Sequence, residues 1–318
     1  MSHVFARRKP PALVLSLALF VTTHINLFGQ DAIATASNDH AWQVRRSFLL
    51  LNAPSTMSEG PDSLLSLDAR GNSSVFYGKK HGLEGTDDIA CRSVGRPQIV
   101  TAIDDYSTSL AELLFFDQSG KLERTFSLGP PYGGGLALGF DPAGNLYAAT
   151  PSSLWKNGKV IATNISPNSE IGKLVADDLG NIYITLPITS QLIRVDQAGN
   201  VILLAGASAG LNGPYGIALG ANHELYVANN PPSAPAYITQ FAAEGTPSIF
   251  AANISLQPDI RGLAYVPGHD GNGAKLYATL AADNSVLEFD EAGNSTVFAD
   301  SSDRLDFPFS IAPCPARW

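Results

Sequence analysis

The sequence predicts an all-β fold, a six-bladed β-propeller whose ring is closed by a C-terminal strand joining the N-terminal blade. Three observations predict it. Residues 135–150, GLALGFDPAGNLYAAT, read as an apolar strand, a tight Asp-Pro-Ala-Gly-Asn turn and a second strand. The second strand recurs around Tyr183, Tyr226 and Tyr277 in steps of about 35 to 50 residues, the period of propeller blades rather than of helical solenoids. A second hairpin pattern repeats as well: residues 63–76, SLLSLDARGNSSVF, match residues 285–298, SVLEFDEAGNSTVF. Finally, Pro308-Phe309-Ser310-Ile311-Ala312 repeats Pro214-Tyr215-Gly216-Ile217-Ala218, so the C-terminus supplies the innermost strand that the first blade lacks.

Along the chain, Arg7, Arg8 and Lys9 precede an apolar run over residues 12–28, followed by Ala32, Ala34 and Ala36. That is a signal-peptide layout. Its apolar part is shorter than the roughly 20 residues of a membrane span. We therefore expect residues 1–36 to be an export segment and residues 37–318 a single propeller domain, secreted or periplasmic after cleavage, with no membrane span in the mature chain. An uncleaved anchor is the alternative.

The inner hairpins follow the first pattern. Residues 135–140 pair with 145–150, 173–176 with 181–185, 216–220 with 224–228, and 262–266 with 275–279; blade two uses 89–94 and 98–103. The outer hairpins follow the second, at residues 63–76, 113–126, 192–205, 237–252 and 285–298. In each clear copy a Gly supplies the positive φ that the turn needs, and an Asp bonds the amides two residues on. Between Leu154 and Ala162 the hairpin shortens to LWKNGKVIA, with Asn157-Gly158 as a two-residue turn. Tyr147, Tyr183, Tyr226 and Tyr277 hold one place in the repeat, which marks them for packing between blades.

At 318 residues, 45% hydrophobic and 15% charged, the chain suits one large all-β domain. Its net charge of -9 and scarcity of Lys/Arg clusters argue against nucleic acid, whose phosphates demand a basic face. Cys91 and Cys314 are too few for a disulfide framework and lack metal-ligand spacing. They follow what read as innermost strands of neighbouring blades, so in an exported protein a disulfide between them would close the ring seam.

The stretch Leu211-Asn212-Gly213-Pro214-Tyr215-Gly216-Ile217-Ala218, with Leu225-Tyr226-Val227-Ala228-Asn229 after it, resembles an NHL repeat. The region from Ser63 to Ala312 is similar to the six-bladed propellers of the senescence-marker-protein/gluconolactonase and strictosidine-synthase-like group. That scaffold hosts lactonases, hydrolases, lyases and binding proteins alike. The resemblance implies a divalent cation in the central channel, on a Glu from a Glu-Gly-Pro motif, Asn residues and an Asp. Glu59-Gly60-Pro61 matches the first element, whereas Tyr215 stands where a ligand Asn would be expected.

In a propeller, the connections leading into the innermost strands surround the channel at one face, the default site. Asp88, Glu170 and Asp259, from alternate blades, are the candidate metal ligands, as hard oxygen donors suited to Ca²⁺ or another divalent cation. The bland alternative for each is a solvated or amide-bonded loop acid. His81, Glu59 and Asp105 are the candidate catalytic acids and bases, and Tyr106, Tyr132, Tyr215, Asn229 and Arg261 the candidate ligand contacts. No Gly-x-Ser-x-Gly elbow, His-Glu-x-x-His or phosphate loop is present. Two readings follow: a monomeric module binding a small molecule, glycan or protein on its channel face, or a divalent-metal-dependent lactone or ester hydrolase.

Overall fold

A computed structural model describes residues 47–53, 62–77, 83, 85–105, 110–129, 135–257, 259–268 and 272–314. The expected export segment lies outside them, as do Glu59, His81, Tyr106 and Tyr132. Among the described residues, twenty-four strands form six antiparallel four-stranded sheets. The first blade takes β1 (Ser47–Asn52), β2 (Ser63–Leu67) and β3 (Ser73–Tyr77) from the N-terminal side and β24 (Pro308–Cys314) from the other end, in the order β24-β1-β2-β3. The second blade is β4 (Thr86–Arg92), β5 (Gln98–Asp105), β6 (Leu110–Phe116) and β7 (Leu122–Gly129). The third is β8 (Ala137–Phe140), β9 (Leu146–Ala149), β10 (Ser153–Lys156) and β11 (Lys159–Thr163). The fourth is β12 (Leu174–Ala176), β13 (Ile182–Leu186), β14 (Gln191–Val195) and β15 (Val201–Ala205). The fifth is β16 (Pro214–Leu219), β17 (Leu225–Asn229), β18 (Tyr237–Phe241) and β19 (Pro247–Ala251). The sixth is β20 (Ile260–Val266), β21 (Lys275–Leu280), β22 (Ser285–Phe289) and β23 (Ser295–Ala299).

The ring closes as the sequence predicts. β24 runs antiparallel to β1, with Leu49 opposite Ala312 and Leu50 opposite Ile311. Cys91, on β4, and Cys314, at the end of β24, are joined as a disulfide with Cα atoms 5.3 Å apart.

One apolar cluster fills each space between neighbouring blades. Leu49, Leu51, Ile89 and Phe116 pack between the first and second blades, and Tyr147, Leu154, Ile171 and Ile184 between the third and fourth. Phe48, Leu65, Tyr277 and Val286 fill the seam between the sixth and first. Each such fully buried side chain is worth about 1.5–3 kcal/mol relative to exposure, so the alternating strands hold the blades face to face.

The repeated turns explain the repeated motif. In the first blade Asp68 Oδ1 accepts from Arg70 N and Asn72 N, while Asn72 Nδ2 donates to Asp68 Oδ2. Gly71 has φ +85°, and a Cβ there would overlap the Phe298 carbonyl of the sixth blade. Gly293 has φ +80° and meets the Phe250 carbonyl of the fifth blade in the same way. The glycine thus shapes the turn and lets one blade seat against the next.

One detail departs from the sequence reading. Several innermost strands begin earlier than their apolar pattern suggests, because each starts with a β-bulge. The register shifts between Thr86 and Asp88, between Pro214 and Ile217, and between Ile260 and Leu263. Opposite β1 the shift falls across Phe309. Asp88, Tyr215 and Arg261 therefore belong to strands rather than to connections. Bulges re-aim side chains, and here they set the upper end of the channel, where the innermost strands begin.

Candidate functional site

At that upper end the bulged side chains make a plug. The Arg261 guanidinium pairs with Asp259 and lies 4.6 Å from the Tyr215 ring centre and 5.2 Å from that of Phe309. Tyr215 and Phe309 meet edge to face at 5.9 Å. Burial pushes the Tyr215 phenol far above its usual range, with Arg261 pulling against it. Lys173 Nζ, 5.0 Å from the Phe309 centre, continues the stack downward.

Below the aromatics sits a buried ion pair. Lys173 Nζ donates to Asp88 Oδ1 at 2.7 Å and to the Asp87 carbonyl at 2.6 Å. Asp88 Oδ1 also accepts from Ser310 Oγ at 2.6 Å and Ile89 N at 2.9 Å, and Oδ2 from Leu138 N at 2.8 Å. Lys173 and Asp88 are only 5% and 3% exposed. Burial pushes the Lys173 ammonium below its usual range while Asp88 pulls it back up.

These contacts occupy two of the three carboxylates expected to hold a cation. Among the described residues no group of three or more His, Cys, Asp or Glu side chains is gathered to hold a metal ion. Both Asp88 oxygens already serve four donors, one of them an ammonium, and Asp259 is spent on Arg261. Asp88 and Asp259, so bonded, have few free oxygens to offer a calcium ion, which takes six to eight. Asn229 is likewise committed. It accepts from Asn212 N and donates to the Val227 carbonyl and Thr239 Oγ1, fully buried. Asp105 ends β5.

Beneath the ion pair opens a cavity of about 630 Å³ on the axis, lined by all six innermost strands. Each innermost strand has a sheet neighbour on one side only, so its unpaired backbone edge, flanked by small and apolar side chains such as Ala90, Leu138 and Ala264, faces this space. Its lining residues Asp88, Lys173, Gly262 and Ser310 are buried, whereas Ser93, Pro142, Asp178, Ala221, His223 and Pro267 are exposed. The buried set lies where the innermost strands begin and the exposed set where they end. The cavity therefore has its floor at the upper face and its mouth at the lower face, opposite to the face expected from the sequence.

The mouth carries one turn unlike its sisters. Asp141-Pro142-Ala143-Gly144-Asn145 and Asp177-Asp178-Leu179-Gly180-Asn181 place Gly at φ +82° and +78°, but the fifth blade reads Gly220-Ala221-Asn222-His223-Glu224. His223 takes φ +62°, a conformation costly for a side chain with a Cβ. The turn's carboxylate has moved from its first position to its fifth. Glu224 now accepts from Asn222 N and Nδ2, and a Cβ on Gly220 would overlap it. His223 Nε2 lies 3.6 Å from Asp178 Oδ1 of the fourth blade.

Lys173, Ser310, His223 and Asp178 are thus the site residues that sequence reasoning passed over. For His223 a signal existed, a histidine at the glycine position of a repeated turn. For Lys173 none did, since its partner is 85 residues away.

No family model and no curated protein matches the sequence. The fold is that of several solved propellers. A nidogen/laminin complex chain aligns with TM-score 0.60 at 16% identity, over 84% of this chain and 98% of that one. A virginiamycin B lyase from Staphylococcus aureus aligns with TM-score 0.55 at 12% identity, over 78% and 83%. A gluconolactonase from Xanthomonas campestris aligns with TM-score 0.50 at 14% identity, over 78% and 84%. These likenesses establish the class, a six-bladed β-propeller. At such identities they carry the fold alone, and the function has to be argued from the cavity.

Proposed function

We propose that this is an exported β-propeller that binds a small molecule in its axial cavity, the ligand arriving from the lower face. One observation carries the reading: a cavity of ligand size with a buried, fully bonded floor and an exposed rim. Export is supported by the signal-like layout of the first residues and by the Cys91–Cys314 disulfide, a bond typical of oxidising compartments. A metal-dependent hydrolase has no matching donor set among the described residues, so it draws support from likeness of fold only.

The test is a fragment screen read by ligand-observed NMR on wild type, Ala221→Trp and Glu170→Gln. Ala221 is an exposed rim residue, so an indole there caps the mouth without entering the core. Binding lost in Ala221→Trp and kept in Glu170→Gln is the expected result. Ligands indifferent to Ala221→Trp would overturn the reading.

A further inference from the structure

We propose that this protein self-associates through the outer rim of its fourth blade, β15 of one copy lying antiparallel to β15 of a second about a two-fold axis. The inference goes beyond the cavity reading and replaces the monomer expected from the sequence. Its surface lies outside the cavity lining.

Three observations carry it. The first is the edge. β15 ends its sheet, with β14 on one side and no strand on the other among the described residues, so a row of backbone N–H and C=O groups is left for another chain. Outer strands of the other blades blunt that edge. Glu123 and Arg124 stand on β7, Lys159 opens β11, Pro247 opens β19, and serines open β3 and β23. β15 reads Val201-Ile202-Leu203-Leu204-Ala205, with no polar side chain at all.

The second is what the strand exposes. One exposed apolar side chain is ordinary for an outer strand of this ring, since Val75, Val160, Ile249 and Val297 hold the place of Leu203. Blade four adds two more. Val201 is exposed where the sister strands have Ser73, Lys159, Pro247 and Ser295. Leu204 is the extra residue of a β-bulge, a place held by Phe76, Phe250 and Phe298 in blades one, five and six. Those rings pack inward, Phe250 on Tyr226 and Phe298 on Tyr277, whereas Leu204 is exposed. Gly199, at the turn into β15, seats against the Ile161 carbonyl, so the exposed Val160 and Ile161 of blade three extend the same surface.

The third is charge, and it selects the occupant. No Asp, Glu, Lys or Arg occurs from Gln197 to Asn222, although the chain as a whole carries -9. Apolar side chains in surroundings depleted of charge are the composition of an interface centre. Two copies of an acidic chain repel each other where their carboxylates meet, and β15 brings none to the contact. A charged partner would find nothing there to pair with. A second copy offers an uncharged edge of the same kind, and antiparallel strands are complementary to themselves about a two-fold axis. Five residues a side with their apolar neighbours bury less than a standard interface, so the dimer is a weak one, with Kd on the order of 10 μM.

The experiment is sedimentation velocity of the disulfide-bonded protein from about 1 to 200 μM, on wild type, Leu203→Lys and Ile249→Lys. Leu203 and Ile249 are each 58% exposed and hold the same place in neighbouring blades, so the second lysine is a matched control. Wild type should pass from monomer to dimer across this range. Leu203→Lys should weaken the dimer about ten-fold or more, because the two-fold axis brings two lysines together, and Ile249→Lys should leave it within about two-fold. Should Leu203→Lys fail to fold, Leu204→Gln makes the same comparison. Wild type that stays monomeric at the highest concentration would overturn the inference. So would a dimer untouched by these blade-four changes, or one weakened as much by Ile249→Lys.

Discussion

Lys173 Nζ stands 2.7 Å from Asp88 Oδ1 on the propeller axis, and this one carboxylate gathers bonds from four blades. Ile89 belongs to its own strand, Leu138 to β8, Ser310 to β24 and Lys173 to the start of β12. The pair also floors the cavity, so ring closure and site shape depend on the same contact.

Lys173→Met should destabilise the protein by about 3–5 kcal/mol, because it leaves a buried carboxylate without its cation. The double variant Asp88→Asn with Lys173→Met should cost clearly less than the two single changes added together. Urea unfolding of the four proteins measures this. Strictly additive losses would mean the two groups are not coupled.

The outer turns set the acid limit. In Asp196 and Asp290 the side-chain amides of Asn200 and Asn294, with backbone N–H groups, hold the carboxyls below their usual range. A folded pKa below the unfolded one gives stability that is present above the unfolded value and lost as pH falls through the folded value. Melting temperature should therefore drop below about pH 4. Asp196→Asn with Asp290→Asn should be less stable at neutral pH and show a shallower acid decline, and an unchanged acid slope would count against these turns.

Removing residues 307–318 should cost far more than trimming a loose tail, since losing β24 uncovers the backbone edge of β1 and opens the ring. The Cys91–Cys314 bond spans 223 residues, and reducing it should remove about 2–4 kcal/mol. Intact mass without reductant and melting curves with and without it measure the second effect. A truncated protein as soluble and as stable as the full chain would refute the first.

His223→Gly should stabilise the protein by about 1 kcal/mol, by relieving a left-handed backbone that the sister turns assign to glycine. Equilibrium unfolding checks it. A loss of stability would mean that contacts of the imidazole outweigh the strain.

Chelator should leave the melting temperature of wild type and of Glu170→Gln unchanged, because Asp88 and Asp259 are committed to Lys173 and Arg261. A chelator-induced fall that calcium reverses would reinstate the cation site.

The blades, their turns and the closing strand were legible in the sequence because each rests on local pattern. Strand alternation, the Asp-x-x-Gly-Asn turn and the match of Pro308 to Ala312 with Pro214 to Ala218 all lie within a few residues of one another. Even the odd turn at His223 could be read there as a broken repeat. The site could not, because its parts meet only when the ring closes. Bulges at the heads of β4, β16, β20 and β24 bring Asp88, Tyr215, Arg261 and Phe309 to the axis, although the apolar pattern leaves Asp88, Tyr215 and Arg261 in connections. Lys173 finds Asp88 across 85 residues, and that pairing turns expected metal ligands into a plug. Among the described residues, which end of the channel is open was therefore decided by tertiary packing: the plug occupies one end, and the cavity opens at the other.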